Sequence, residues 1–224
     1  DWGDSGHRNL LGVSLHGFAH GAAHAWHGAA VNDEAFTATF ARQLFGDQAG
    51  DLAGSIQALG GVASRMSTDN DCVLYHGLVE PLLPPHTKFI DRFARVSEVI
   101  HYPEHYPKAI DMADTKVLRD VFAKLQHLDF NASDEAKLPE FERRALADYR
   151  LATRMDCVAA KRALLAKTLR ISQSLTQAEL DDLNDGMNDL IEEFELNWHD
   201  RNRPGLLRDN IKLMHLAMFE NVKE

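Results

Sequence analysis

The sequence predicts a mainly α fold, a multi-helix bundle of about seven or eight helices whose short loops pack neighbours antiparallel. Three observations carry this. Apolar residues recur at three- and four-residue steps through most of the 224 residues. No run of β-branched and aromatic residues alternates with polar ones over the ~5–6 positions a strand needs. Capping residues, glycine or proline stand at the breaks between the periodic stretches.

Each element follows from local chemistry. Residues 10–30 read as one helix rich in glycine and alanine. Asn32-Asp33 offers an N-cap for a helix carrying Phe36, Phe40 and Leu44, and Gly46 suits its C-terminal end. Leu52, Ile56 and Leu59 share a face of the next helix, which Gly60-Gly61 should interrupt or end. Ser67-Thr68-Asp69-Asn70 is a turn cluster, and the apolar segment 72–83 runs into Pro84-Pro85, which cannot continue a helix. Thr87 can cap a helix carrying Phe89, Ile90, Phe93, Val96 and Ile100. The sequence HYPEHYP at 101–107 reads as an ordered loop. A helix over about 108–128 carries Val117, Val121 and Leu125 at steps of four. Ser133 or Asp134 should start the longest helix, ~30 residues or ~45 Å at 1.5 Å per residue. Pro139 then falls in its first turn. Thr176 and Glu179 form a capping box for a helix bearing Leu183, Met187, Leu190, Phe194 and Trp198. Asn202-Arg203-Pro204-Gly205 breaks it, and 206–219 closes the chain as a final helix.

Composition narrows the function. At 45% hydrophobic and 26% charged residues the chain is ordinary for a globular protein with a sizeable core. A formal net charge of −10 with no basic run excludes a general nucleic-acid binder. No apolar run approaches the ~20 residues needed to cross a bilayer. Cys72 and Cys157 stand in no metal-binding spacing and read as two buried thiols rather than a disulfide.

Candidate chemistry concentrates in the first thirty residues. His16, His20, His24 and His27 fall within an ~80° arc of one helix face at ~100° per residue. Histidines at i, i+4 can share a metal, but no carboxylate accompanies these at a matching spacing. The stripe therefore reads as packing histidines, and the sequence assigns neither a metal nor a cofactor. Ahead of it, Asp1-Trp2-Gly3-Asp4-Ser5-Gly6-His7 sets an aromatic ring between carboxylates. That arrangement reads equally as a sugar-holding loop, with the ring stacked on a pyranose, and as a polar loop with one half-buried Trp. The acids of Asp181-Asp182, Asp185, Asp189 and Glu192-Glu193 read as a solvated helix face rather than as a catalytic pair. No phosphate-binding loop, dinucleotide fingerprint or nucleophile elbow is present.

Several stretches together resemble one family. DWGDSGHRNLLGVSLHGFAHGAAHAW is similar to the end of the catalytic barrel in a bacterial branch of the family 20 glycoside hydrolases, the β-N-acetylhexosaminidase-like enzymes. There a Trp-Gly-Asp-x-Gly-His stretch precedes a small-residue helix of the type PGFAYGAALSW. The helix and turn through Phe40-Ala41-Arg42 and Leu44-Phe45-Gly46-Asp47 resemble those that follow that barrel. Tyr149-Arg150-Leu151-Ala152-Thr153-Arg154-Met155 resembles the family's long C-terminal helix. Trp198 with Arg201-Asn202-Arg203-Pro204-Gly205-Leu206 resembles its W-x-x-R-N-R-P-G-G-L signature. His16, His20 and His27 depart from the family's Pro, Tyr and Asn, so the resemblance leaves the histidine stripe unexplained.

The resemblance implies that residues 1–31 are the end of a (β/α)8 barrel with its last helix, and 32–224 an all-helical C-terminal domain. It implies action on terminal β-linked N-acetylhexosamines by substrate-assisted chemistry, with an adjacent Asp-Glu pair orienting the acetamido group and protonating the leaving oxygen. That pair lies upstream of the Trp-Gly-Asp motif and is not in this sequence, so no catalytic residue is assigned. Trp2 and Asp4 would bind sugar at the pocket rim, with His7 beside them, and the carbohydrate would be held through the barrel. The alternative is a helical interaction or scaffold module with no sugar site. In either case the helix faces offer surfaces for self-association into a homo-oligomer.

Overall fold

A computed structural model describes residues 10–66, 73–78, 110–172, 175–205 and 207–218. Among them stand eight α-helices and no strand, as the periodicity requires. These are α1 (Leu11–His27), α2 (Asp33–Phe45), α3 (Asp51–Met66), α4 (Val73–Gly77), α5 (Thr115–Gln126), α6 (Glu140–Ser172), α7 (Gln177–Arg201) and α8 (Leu207–Ala217).

The predicted caps form. The Asn32 side chain accepts from the Ala35 N–H at 2.8 Å and opens α2. Gly46 ends α2 at φ +68°, a conformation other residues rarely adopt. Asp47 then turns the chain, its two carboxylate oxygens accepting from the N–H groups of Gly50 and Ala53, both at 3.0 Å. Thr176 and Glu179 close the capping box at the start of α7. Hydrogen bonds donated by the Thr176 backbone N–H and by its hydroxyl, both at 2.8 Å, hold the Glu179 carboxyl below its ordinary pKa.

Three boundaries differ from the sequence reading. Gly60-Gly61 does not interrupt α3, which runs through them to Met66. Two glycines cost about 1 kcal/mol each in a helix, but they sit on the exposed side. Leu59, Val62 and Met66 are buried on the other and carry the helix past them. The helix expected over 108–128 instead breaks at Asp114, whose carboxylate accepts from the N–H groups of Lys116 (2.6 Å) and Val117 (3.2 Å) and starts α5 afresh. The longest helix begins later than expected. A 3-10 turn, Glu135–Lys137, occupies its predicted start, and Pro139 precedes Glu140 rather than lying in the first turn.

Helix α6 is the axis of the bundle. Its 33 residues extend about 50 Å, and α1, α4, α5 and α7 all pack on it. It therefore buries side chains on several sides, among them Leu146, Leu151, Ala160 and Leu169. Two of its fully buried residues are charged. The Asp148 carboxylate receives Gly12 N–H at 2.7 Å and Asn197 Nδ2 at 3.0 Å, joining α1 and α7 to α6. Arg162 Nε donates to the Gly77 carbonyl at 2.5 Å and joins α4. Beside Asp148, Tyr149 stacks on Phe130 with ring centroids 5.1 Å apart and meets Phe45 edge-on at 6.2 Å. Burial, and then the Asp148 charge, hold its phenol well above the ordinary tyrosine range.

Three acids on the solvated face of α7 also pair across the helix interface. Glu193 and Asp189 pair with Arg154, and Asp182 pairs with Lys161. Arg150 likewise pairs with Glu135 and donates to the Phe130 carbonyl at 2.9 Å. Arg150 and Arg154, in the stretch that resembles the family's long helix, thus tie α6 to its surroundings. No helix of the described residues is long and apolar enough to cross a membrane.

Candidate functional site

Trp2, Asp4 and His7, the residues to which the sequence assigns sugar contacts, lie outside the described residues, as do Cys72 and the 101–107 segment. The helix that follows them, α1, has two contrasting faces. Leu11, Phe18, Ala22, Ala25 and Trp26 fall within a roughly 100° arc and are all exposed, Trp26 to 85%. The histidine arc lies on the opposite side, and its first three members face α2.

The histidines of that arc are not equivalent. His16 is wedged edge-on between Phe36 and Phe40, at ring distances of 5.5 and 5.1 Å. Its Nε2 lies 3.0 Å from Thr37 Oγ1. The Thr37 hydroxyl donates its one proton to the Asp33 carbonyl at 2.9 Å, so it accepts from His16, and Nε2 carries the ring proton. Burial, with a smaller contribution from His20, lowers the His16 pKa and favours this neutral form. His16 is a packing residue, as the spacing implies.

His20 and His24 have a different environment. His20 Nε2 lies 2.8 Å from Asp33 Oδ1, and His24 Nε2 lies 3.2 Å from His20 Nε2 and 3.6 Å from the same carboxylate oxygen. One donor atom from each of the three side chains thus lies within 4.8 Å of the other two. Asp33 is the carboxylate that spacing along α1 does not supply. It comes from the first turn of α2, brought back against α1 by the 3-10 turn Gly28–Ala30. Hydrogen bonds and charge from His20, and more weakly from His24, hold its carboxyl below the usual range. His27, the fourth of the stripe, is exposed. The signal that could have found Asp33 is the short distance in sequence from His24 to the Asn32-Asp33 cap. A tight reversal there must lay the first turn of α2 beside the last turns of α1.

Elsewhere, Trp198 is buried and its indole N–H donates to the Arg203 carbonyl at 2.8 Å. This pins the Arg201–Gly205 break between α7 and α8. Cys157 is a free thiol, pushed up to about 11 by burial and, less, by the charge of Asp156.

No family model matches the chain, and neither a curated protein nor a solved structure matches it significantly.

Proposed function

We propose that this chain is the C-terminal helical region of a glycoside hydrolase acting on terminal β-linked N-acetylhexosamines, non-catalytic by itself because the Asp-Glu pair of such an enzyme lies upstream. The observation that favours this reading is the bare apolar face of α1. Leu11 is 45% exposed, Phe18 50% and Trp26 85%, all on one side of one helix. A contiguous exposed apolar face marks a surface that another protein element covers. In the proposed enzyme α1 is the last barrel helix, and this face lies against the barrel. Gly12, on the flank between this face and the histidines, fixes α1 to α6, and in such an enzyme Trp2 and Asp4, ahead of α1 in the sequence, would bind sugar at the barrel rim. The pinned Trp198–Arg203 turn supports the reading from the other end of the chain, because it gives the W-x-x-R-N-R-P-G pattern a structural reason.

A helical interaction module is the second reading, and the same bare face favours it, since a partner protein could cover it equally well. The two readings separate on the residues ahead of α1. The 224-residue chain should not hydrolyse a chromogenic β-N-acetylglucosaminide, and turnover at an enzyme-like rate would sink the proposal. A change in Trp fluorescence on titration with N-acetylglucosamine that vanishes in Trp2→Ala supports the sugar site over the interaction module.

A further inference from the structure

We propose that His20, His24 and Asp33 form a binding site for one divalent transition-metal ion of the Zn2+ class, joining α1 to α2. This inference is independent of the glycosidase reading, whose family pattern has no counterpart to the histidine stripe.

The donor geometry is the first argument. Two imidazole nitrogens and a carboxylate oxygen form a triangle with edges of 2.8, 3.2 and 3.6 Å. A tetrahedral ion with bonds of about 2.0–2.1 Å separates its ligands by roughly 3.3 Å, the middle of that range. The second argument is convergence: both imidazole nitrogens and the carboxylate oxygen lie within reach of one point between them, where a single cation engages all three atoms at once.

The site is also held in place. The His20 ring meets Phe36 edge-on at 5.1 Å and stacks on His16 at 6.2 Å with a 14° interplanar angle. Asp33 sits in a helical turn that the Asn32 cap and the Thr37 hydroxyl both secure. His16 cannot compete, because its Nε2 is committed to Thr37. The outer side faces solvent: His24 and Asp33 side chains are 42% and 78% exposed. Three protein ligands therefore leave a fourth position for water or an exogenous ligand. Imidazole donors suit Zn2+ and its transition-metal neighbours, whereas Mg2+ and Ca2+ prefer oxygen ligands throughout.

Calorimetric titration of the untagged chain with ZnCl2 tests this. The expected result is one saturable site with a dissociation constant of about 10 µM or tighter. Loss of a ligand in His20→Ala, His24→Ala or Asp33→Asn should weaken binding at least ~10-fold. His27→Ala, which leaves the triad intact, should bind as the wild type does, and MgCl2 and CaCl2 should not bind. Circular dichroism confirms that each variant is folded; these are exposed or half-buried positions. No saturable Zn2+ binding below ~100 µM overturns the proposal. So does an Asp33→Asn variant of unchanged affinity, which would reduce the site to a surface histidine pair. A His27→Ala variant weakened as much as His24→Ala would likewise show adventitious capture.

Discussion

The backbone N–H of Gly12 donates to the carboxylate of Asp148 at 2.7 Å, and this contact seats α1 on the long central helix α6. Only a residue without a Cβ permits it. A Cβ at position 12 would lie 2.7 Å from Ala145 Cα and 2.9 Å from the Ala145 carbonyl oxygen, both backbone atoms that cannot move aside. Gly12→Ala should therefore destabilise the protein by about 1–3 kcal/mol, the usual cost of overpacking. Urea denaturation followed by circular dichroism would measure it, and an unchanged midpoint would contradict the close approach.

Asp156 gives stability a pH dependence. Burial pushes its carboxyl up to about 7, above the ordinary aspartate value of about 3.9. Below about pH 4 both folded and unfolded chains hold the proton, and the group costs nothing. As pH rises from about 4 towards 7 the unfolded chain ionises first, so the folded state loses stability progressively, and the loss is complete above the folded pKa. Asp156→Asn should stabilise the protein more at pH 8 than at pH 4.5. Thermal melts of both proteins at the two pH values would show this as a growing gap, and parallel shifts would refute it.

The thiol next to it should be sluggish. With its pKa near 11, Cys157 carries little thiolate at pH 8, and the thiolate is the reactive form. In a Cys72→Ser background, a thiol-exchange reagent should modify the folded protein many-fold more slowly than the urea-unfolded one. Equal rates would show an accessible thiol of ordinary pKa.

Trp198→Phe keeps the ring and removes the N–H that holds the Arg203 carbonyl. The exposed turn regains water at that carbonyl, so the expected cost is modest, about 0.5–1.5 kcal/mol. The matching spectroscopic signature is loosening of the 202–205 turn, visible as faster amide exchange there. Unaltered exchange would mean the indole bond does not secure the turn.

The fold was legible in the sequence wherever the determining chemistry is local. Asn32, Gly46 and Thr176 act on backbone groups within a turn of themselves, and their roles are visible from neighbours alone. Asp114 was hidden because it stands inside an otherwise continuous apolar period, where a capping side chain outcompetes the helix it interrupts. Gly60-Gly61 misleads for the converse reason: local propensity predicts a break, and burial of Val62 and Met66 overrides it. The site was half legible. The histidine stripe is a one-dimensional pattern, but its carboxylate, Asp33, belongs to another helix, and only the reversal at Gly28–Ala30 brings it within reach. Asp148 and Arg162 were not foreseen, since both look like surface charges on a long helix and find their partners on α1, α4 and α7.

The reading frame upstream of the Asp1 codon, expressed together with these residues, tests the proposed function most directly. The expected result is an open frame encoding a barrel with an adjacent Asp-Glu pair, whose full product hydrolyses a chromogenic β-N-acetylglucosaminide that the 224-residue chain leaves intact. A frame that begins within a few codons of Asp1, or an upstream domain with no such pair and no hydrolysis, would contradict it.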